Sequence, residues 1–393
     1  MRKGLTALAI GAFALGMTEF VMMGILPDMA IALEITIPEA GHLISAYALG
    51  VVIGAPVLTI YLQNKPPRTA LLILATWIML GNAMAALAIG YKSMLLLRFV
   101  AGIPHGAYFG IGAVVAGRLA EKGKIAQAVA YMFTGLTIAN IVGVPAGTYI
   151  GHEFDWRITF GIVGLIGLLT LFGIRFWLPE MKARKSGNIR SDFAIFRQWD
   201  LQLILMIAII GTGGFFAWYS YIAPLFTEVG GFDAGSVTYL MVLAGLGMTV
   251  GNVLGGKLSD WLNPLKATII LLGAMALVLG MMIFVAESKI LVMLMTPVIG
   301  AVAFAVVSPV QILIMEASQK AEMLGSSIGP AAMNVGNALG AYLAGLPIAW
   351  GYGFTSPEWV GAGLALLGLC ISLILQNRKR AKSKKSEPRP VIA

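Results

Sequence analysis

Glu19 and Asp28 stand in "GMTEFVMMGILPDMA", and Arg98 and His105 in "LRFVAGIPHGAYFG", four ionisable side chains set in otherwise apolar sequence. In hydrocarbon a charge costs from about 2.5 kcal/mol upward, so each must be paired, face a cavity, or do chemistry. The chemistry open to a carboxyl in such a place is proton carriage. Burial disfavours the charged form, so a carboxyl without a cation keeps its proton until water or a partner reaches it.

Spacing separates the roles. Glu19 and Asp28 are nine residues apart, two and a half helical turns, which puts them on opposite faces and about 13 Å apart in depth. They do not make one carboxylate pair. Arg98 enters about five residues into its apolar run, roughly 8 Å deep, and Asp28, near the outer end of its own run, shares that depth. Of the candidates Glu19, Asp28 and His42, depth therefore favours Asp28 as the partner of Arg98 and leaves Glu19 near mid-membrane without a cation. Glu19 is expected to be the principal proton carrier, with Arg98 and Asp28 tuning the cycle. The alternatives are structural: Glu19 hydrogen-bonding a neighbouring helix, Arg98 packing the first helices together, Asp28 sitting at the outer interface. Gly102, Gly106 and Gly110 follow Arg98 at four-residue intervals, a small-residue face that turns it into protein rather than lipid.

These groups need helices to hold them. The 393 residues are 59% hydrophobic and only 11% charged, against about 25% charged in soluble domains. Twelve apolar runs recur, approximately 5–32, 41–62, 69–90, 93–117, 126–150, 158–178, 201–227, 236–256, 267–286, 290–315, 325–349 and 359–375. Each is long enough to cross a core of about 30 Å, and none shows the strict alternation of a barrel strand. The expected fold class is an all-α integral membrane protein of twelve transmembrane helices. All lysines and arginines except Lys92, Arg98, Arg157 and Lys289 fall on the side of the two termini, so both termini are expected in the cytoplasm of a bacterial inner membrane protein. The start, "MRK" before an apolar stretch and "AIA" at Ala30 to Ala32, imitates a secretory signal. Its apolar part is about twice the usual length, so it reads as the first helix. The single cysteine, Cys370, excludes an internal disulfide.

The polar interval from Leu178 to Asp200 divides the chain into six plus six. The expected organisation is a first six-helix bundle over 1–178, a cytoplasmic linker over 179–199, a second bundle over 200–376 and a basic tail over 377–393. The halves echo each other. "GVVIGAPVLTIYLQNKPP" from Gly50 aligns with "GMTVGNVLGGKLSDWLNP" from Gly247 at an offset of 197, and "GVPAGTY" from Gly143 with "GNALGAY" from Gly336 at an offset of 193. Paired halves of this kind build a site at mid-membrane depth and open it alternately to each side.

"RFVAGIPHGAYFG", "GLTIANIVGVPAGTYIG" from Gly135 and "GGKLSDWLNPLK" from Gly255 resemble three motifs of the major facilitator superfamily: an arginine followed by spaced glycines, an antiporter motif ending in G-x-P-x-G, and a G-x-x-x-D turn. Within it the chain resembles the twelve-span drug:proton antiporter family, and "GMTEFVMMGILPDMA" with "NVGNALGAY" resembles its arabinose efflux permease branch. The resemblance implies two pseudo-symmetric bundles, proton-coupled efflux, and coupling or leak-proofing by Gly143, Pro145 and Gly147. From the residues alone, Pro145 and its two glycines make a kinked, closely packed helix fit to slide between the halves. Gln63 stands in the first half where Asp260 stands in the second, so a cytoplasmic latch is expected to rely on Asp260.

Spans seven to twelve carry no ionisable side chain away from their ends, so proton chemistry is expected in the first half. The expected substrate cavity is lined by Tyr47, His105, Asn140, Trp218, Tyr219, Gln311, Asn334 and Asn337, with Asn252 nearby. Neutral amides and aromatic faces suit an uncharged or amphipathic solute. Trp218 and Tyr219 fit an interfacial belt equally well, and Asn140 could instead bridge helices. His105 reads more readily as a packed or cavity-lining group than as a relay. Three scattered histidines give no metal site, no cofactor or P-loop motif is present, and neither a filter loop nor a soluble sensor domain is found. The expected function is efflux of a small organic solute, a sugar or a drug-like compound, driven by the proton gradient, by a monomer in lipid with no nucleic acid partner and no enzymatic activity. Proton-independent facilitated export is the alternative, and a transporter-derived sensor a more distant one.

Overall fold

The computed structural model describes residues 2–62, 64–122, 124–182, 193–318 and 322–386. Twelve spans cross the molecule. They are α1 (Arg2–Gly24), α2 (Ile37–Leu62), α3 (Pro67–Ala86), α4 in two pieces (Tyr91–Gly102 and His105–Leu119), α5 (Ile125–Ile138 continued to Asp155) and α6 (Trp156–Trp177). The second set comprises α7 (Trp199–Met206 continued through Thr212–Ser220), α8 (Val237–Leu262), α9 (Pro264–Val285), α10 (Lys289–Ala317), α11 (Glu322–Ala349) and α12 (Ser356–Ser386). Gln127–Trp177 is one continuous apolar stretch. It folds as two spans because Asp155 is extended (φ −162°, ψ 134°) and its carboxylate accepts the Arg157 amide hydrogen bond, starting a new helix.

Span ends shift by several residues from expectation, and three of the shifts bear on the ionisable groups. The first run does not continue to residue 32: α1 ends at Gly24, and Leu26–Ala32 is a separate short helix with Pro27 in its first turn, where proline fits best. The fourth run is interrupted at Ile103 and Pro104. The last span begins at Ser356, three residues before the expected 359, which brings Glu358 inside it at 1% exposure. A buried ionisable group therefore stands at one end of the last six helices, not away from the ends, because α12 is packed down to its first turn.

The repeat read from the sequence is a repeat of one helix contact. Gly50 and Gly54 of α2 lie against the carbonyls of Phe99 and Ile103. Gly247 and Gly251 of α8 lie against those of Pro297 and Ala301 in α10, and Gly255 against that of Ala305. A side chain at any of these positions would meet backbone, so the pairs α2–α4 and α8–α10 approach as only small residues allow.

α1 packs on α5 and α6, α3 on α6, α7 on α11 and α12, and α9 on α10 and α12. Between the first six and last six spans, the broadest contact is α2 on α11. It lies at the end of the bundle remote from the termini, where Ser45 Oγ donates to the Ala338 carbonyl (3.0 Å), the rings of His42 and Tyr342 lie 5.9 Å apart, and Tyr221 covers Gly41 and Gly345. Nearer the middle, α8 crosses α5 with Gly245 on the Asn140 carbonyl.

Candidate functional site

Glu19, Tyr47, His105 and Asn337 meet in the buried middle of the molecule. Glu19 Oε1 accepts from Asn337 Nδ2 at 3.3 Å, and Glu19 Oε2 lies 3.7 Å from His105 Nε2. The other ring nitrogen of His105, Nδ1, shares a hydrogen bond of 2.9 Å with the Tyr47 hydroxyl. A line of polar groups thus runs from α2 through α4 to the carboxyl on α1 and on to α11. The Pro104 break positions His105 in the first turn of the second piece of α4, and Gly106 lets that turn sit on Ala55 of α2.

Arg98 is fully buried, as its glycine face requires, but its partner is not Asp28. Nη1 donates to the Thr18 carbonyl (2.8 Å) and Thr18 Oγ1 (3.3 Å), and Nε to the Leu43 carbonyl (3.4 Å). The guanidinium lies 4.4 Å from the Tyr47 ring centre and 5.6 Å from that of Phe160, the cation–π geometry a desolvated guanidinium favours. Thr18 in turn donates to Asn82 Oδ1 at 2.5 Å, so one arginine ties α4 to α1, α2 and α3. Asp28 pairs with His152 Nδ1 at 2.9 Å. The depth estimate treated residues 5–32 as one straight helix; the bend at Ile25 carries Asp28 onto the separate segment that faces the end of α5. His42, the other candidate, contacts the Tyr91 hydroxyl at 3.0 Å.

An aromatic wall closes the other side of Glu19. The neighbouring Phe20 stacks with Phe216 at 6.4 Å and lies 5.9 Å from Tyr219 and 6.4 Å from Phe304; Phe215 lies 4.9 Å from Tyr219 and 5.8 Å from Phe304. Phe20 and Phe304 were not singled out in the sequence, since a lone phenylalanine in an apolar run carries no signal. Tyr219 is buried in this wall and Trp218 is fully buried beside it, so neither belongs to an interfacial belt. Asn334 donates to the Pro330 carbonyl at 3.1 Å, and the Oδ1 atoms of Asn140, Asn334 and Asn337 are buried with no hydrogen-bond partner among the described residues. Such acceptors ask for a ligand or water with N–H or O–H groups.

The remaining expected residues lie elsewhere. The side chain of Gln311 lies against Gly329 of α11, packing two helices of the last six, and Asn252 is exposed and accepts from Ser308 at 3.4 Å. Gly143 and Gly147 do not face the second half: Gly143 meets Phe13, and Gly147 meets Met17 and Val21, all on α1. Pro145 follows a wide π turn at Ala139–Gly143, which takes up the lost hydrogen bond. The turn, not the glycines, presents Asn140 to Gly245 of α8. Asp260 is exposed and, among the described residues, makes no ion pair or hydrogen bond; Gln63 lies outside the described residues.

The profile of the Major Facilitator Superfamily matches residues 8–329. The chain is 36% identical to AraJ of Escherichia coli (strain K12), over 100% of this chain and 99% of that one. It is 39% identical to the inner membrane transport protein YdhP of Escherichia coli O157:H7, over 96% of each. The crystal structure of a D-xylose-proton symporter superimposes with a TM-score of 0.74 at 16% identity, covering 94% of this chain and 96% of that one, a likeness of fold.

Proposed function

The chain belongs to the Major Facilitator Superfamily, a multi-pass membrane secondary transporter rather than an enzyme, and we propose that it exports a small organic solute in exchange for protons, with Glu19 as the proton carrier. The observation that carries this reading is the position of Glu19 between His105 of the first six helices and Asn337 of the last six. An ionised carboxylate accepts strongly from the Asn337 amide, and a protonated one far less. Loading Glu19 with a proton therefore changes the free energy of a contact between the halves, and a solute bearing donor groups competes for the same oxygens. Differential stabilisation of two arrangements by two ligands is what couples their movements.

In this reading residues 1–178 and 200–376 move as two bodies about the linker 179–199, with both termini cytoplasmic. The contacts of α2 with α11 then close the outer side. His105 and Tyr47 extend the proton path from Glu19. Arg98 holds the α1 backbone beside the carrier, and Asp28 takes no part in it. The aromatic wall and the unpaired amide oxygens of Asn140, Asn334 and Asn337 suit a sugar or a drug-like compound offering several donors and an apolar face. The protein acts as a monomer in a bacterial inner membrane, with the proton gradient as its energy source.

The test is solute-induced proton release from proteoliposomes, screened with pentoses, nucleosides and lipophilic antibiotics, for wild type and Glu19→Gln. Antiport requires that a solute release protons from the wild type and that Glu19→Gln abolish the release while still binding that solute. Transport that proceeds equally well in Glu19→Gln without a pH gradient would make the protein a facilitator.

A further inference from the structure

Glu358 is the buried carboxyl that the transport site does not use. It lies in the first turn of α12 at 1% exposure, and neither carboxyl oxygen has a hydrogen-bond partner among the described residues. A second orphan lies opposite. The indole Nε1 of Trp218, fully buried in α7, also has no partner. The register of the two helices brings these two residues to one level on facing sides, although the indole and the carboxyl are not hydrogen-bonded to each other in this structure. Gly211 of α7 packs on Gly368 of α12, and Gly214 packs on Gly361 and Ala365. One turn further along α7 the antiparallel pairing reaches Trp218 on one helix and residues 357–361 on the other. Trp218 follows Gly211 and Gly214 on the same face of α7, and Glu358 precedes Gly361 and Ala365 on the same face of α12.

We infer that Glu358 is a second proton-binding site, in the last six helices, with the Trp218 indole N–H as the hydrogen-bond donor to its carboxylate form. Both states have a physical basis. The burial of Glu358, with Leu279 of α9 packed on Gly361 one turn along, favours the neutral acid. The N–H groups of Glu358 and Trp359 at the start of α12 and the indole N–H favour the anion; Pro357 has no N–H, and that of Ser356 donates to the Gly353 carbonyl. No other charge intervenes among the described residues. The facing stretch of α9 carries no titratable group before the exposed Glu287 of the following connection and the exposed Lys289 that opens α10; at this end α7 adds only Tyr219, within the aromatic wall, followed by Tyr221, bonded to the Ala341 carbonyl; α11 adds at this end only the exposed Tyr342. Among the described residues no lysine, arginine or histidine is within ion-pair distance of Glu358. The start of the helix at Ser356 is two residues away, about 3 Å at 1.5 Å per residue, so a slight loosening of the α7–α12 contact admits water and a proton.

The site is separate from Glu19, and its test needs no solute. Isotope-edited infrared spectra of the full chain, with labelled glutamate, are recorded in lipid nanodiscs as pH is stepped from about 5 to about 10. The expected result is a protonated-carboxyl band that titrates in wild type and Glu19→Gln, vanishes in Glu358→Gln, and in Trp218→Phe shows a proton affinity changed about tenfold, the effect of one hydrogen bond to a charged group. Glu358→Asp serves if Glu358→Gln does not fold, and must keep a titrating band at a shifted frequency. A Glu358 band that stays protonated across the whole range, or indifference of that band to Trp218→Phe, overturns the inference.

Discussion

Asn337 donates a hydrogen bond of 3.3 Å to Oε1 of Glu19, joining α11 to α1 across 318 positions of sequence. The carboxyl expected to carry the proton is thus held by an amide of the other half. Asn337→Ala is expected to reduce solute flux driven by a pH gradient about tenfold, the worth of one hydrogen bond to a charged group. Read as solute affinity, which Glu19→Gln keeps, the same substitution in the Glu19→Gln background should add nothing, because the two residues act through one contact. Fully additive losses in that double-mutant cycle would place the role of Asn337 elsewhere.

Asp28 offers the matching negative. Its ion pair with His152 is partly exposed at the edge of the bundle, where such pairs contribute at most about 1 kcal/mol. Asp28→Asn is expected to leave gradient-driven flux within about twofold of wild type, whereas Glu19→Gln eliminates it. Comparable loss in both variants would restore Asp28 to the proton path.

Arg98 is held by two backbone carbonyls and two aromatic rings, which a guanidinium fork can satisfy together and an ammonium cannot. Arg98→Lys keeps the charge yet is expected to destabilise the folded protein by about 2 kcal/mol. Thermal unfolding of the detergent-solubilised chain measures this. An unchanged unfolding temperature would show that the charge alone matters.

The paired helix contacts predict matched sensitivity in the two halves. Gly54→Ala and Gly251→Ala would each drive a methyl group into a carbonyl of the facing helix, while Gly280→Ala meets nothing within 4 Å. The first two are expected to lose about 1–3 kcal/mol of stability, as overpacking does, with the third near wild type. Fluorescence size-exclusion profiles after graded heating would rank them, and a tolerated Gly251→Ala would show that α8 and α10 can separate.

What the sequence alone determined is what local pattern determines: the membrane setting, the number of spans, the doubled architecture and the burial of Arg98. Hydropathy and small-residue spacing act along single helices, so Gly50 and Gly247 could be matched before their contacts were known. Glu19 stood out for the same reason, as a carboxyl in an apolar run. Partners are another matter. Asp28 was assigned to Arg98 because a straight helix was assumed; the bend at Ile25 and the pull of His152 are tertiary facts. Asn337 could be placed in a cavity but not on Glu19, because which faces of α1 and α11 meet depends on how two bundles dock. Trp218 and Glu358 were least legible. A tryptophan or a carboxylate near a helix end fits the interface as well as the core, and only the packing of α7 and α9 against α12 removes both from water.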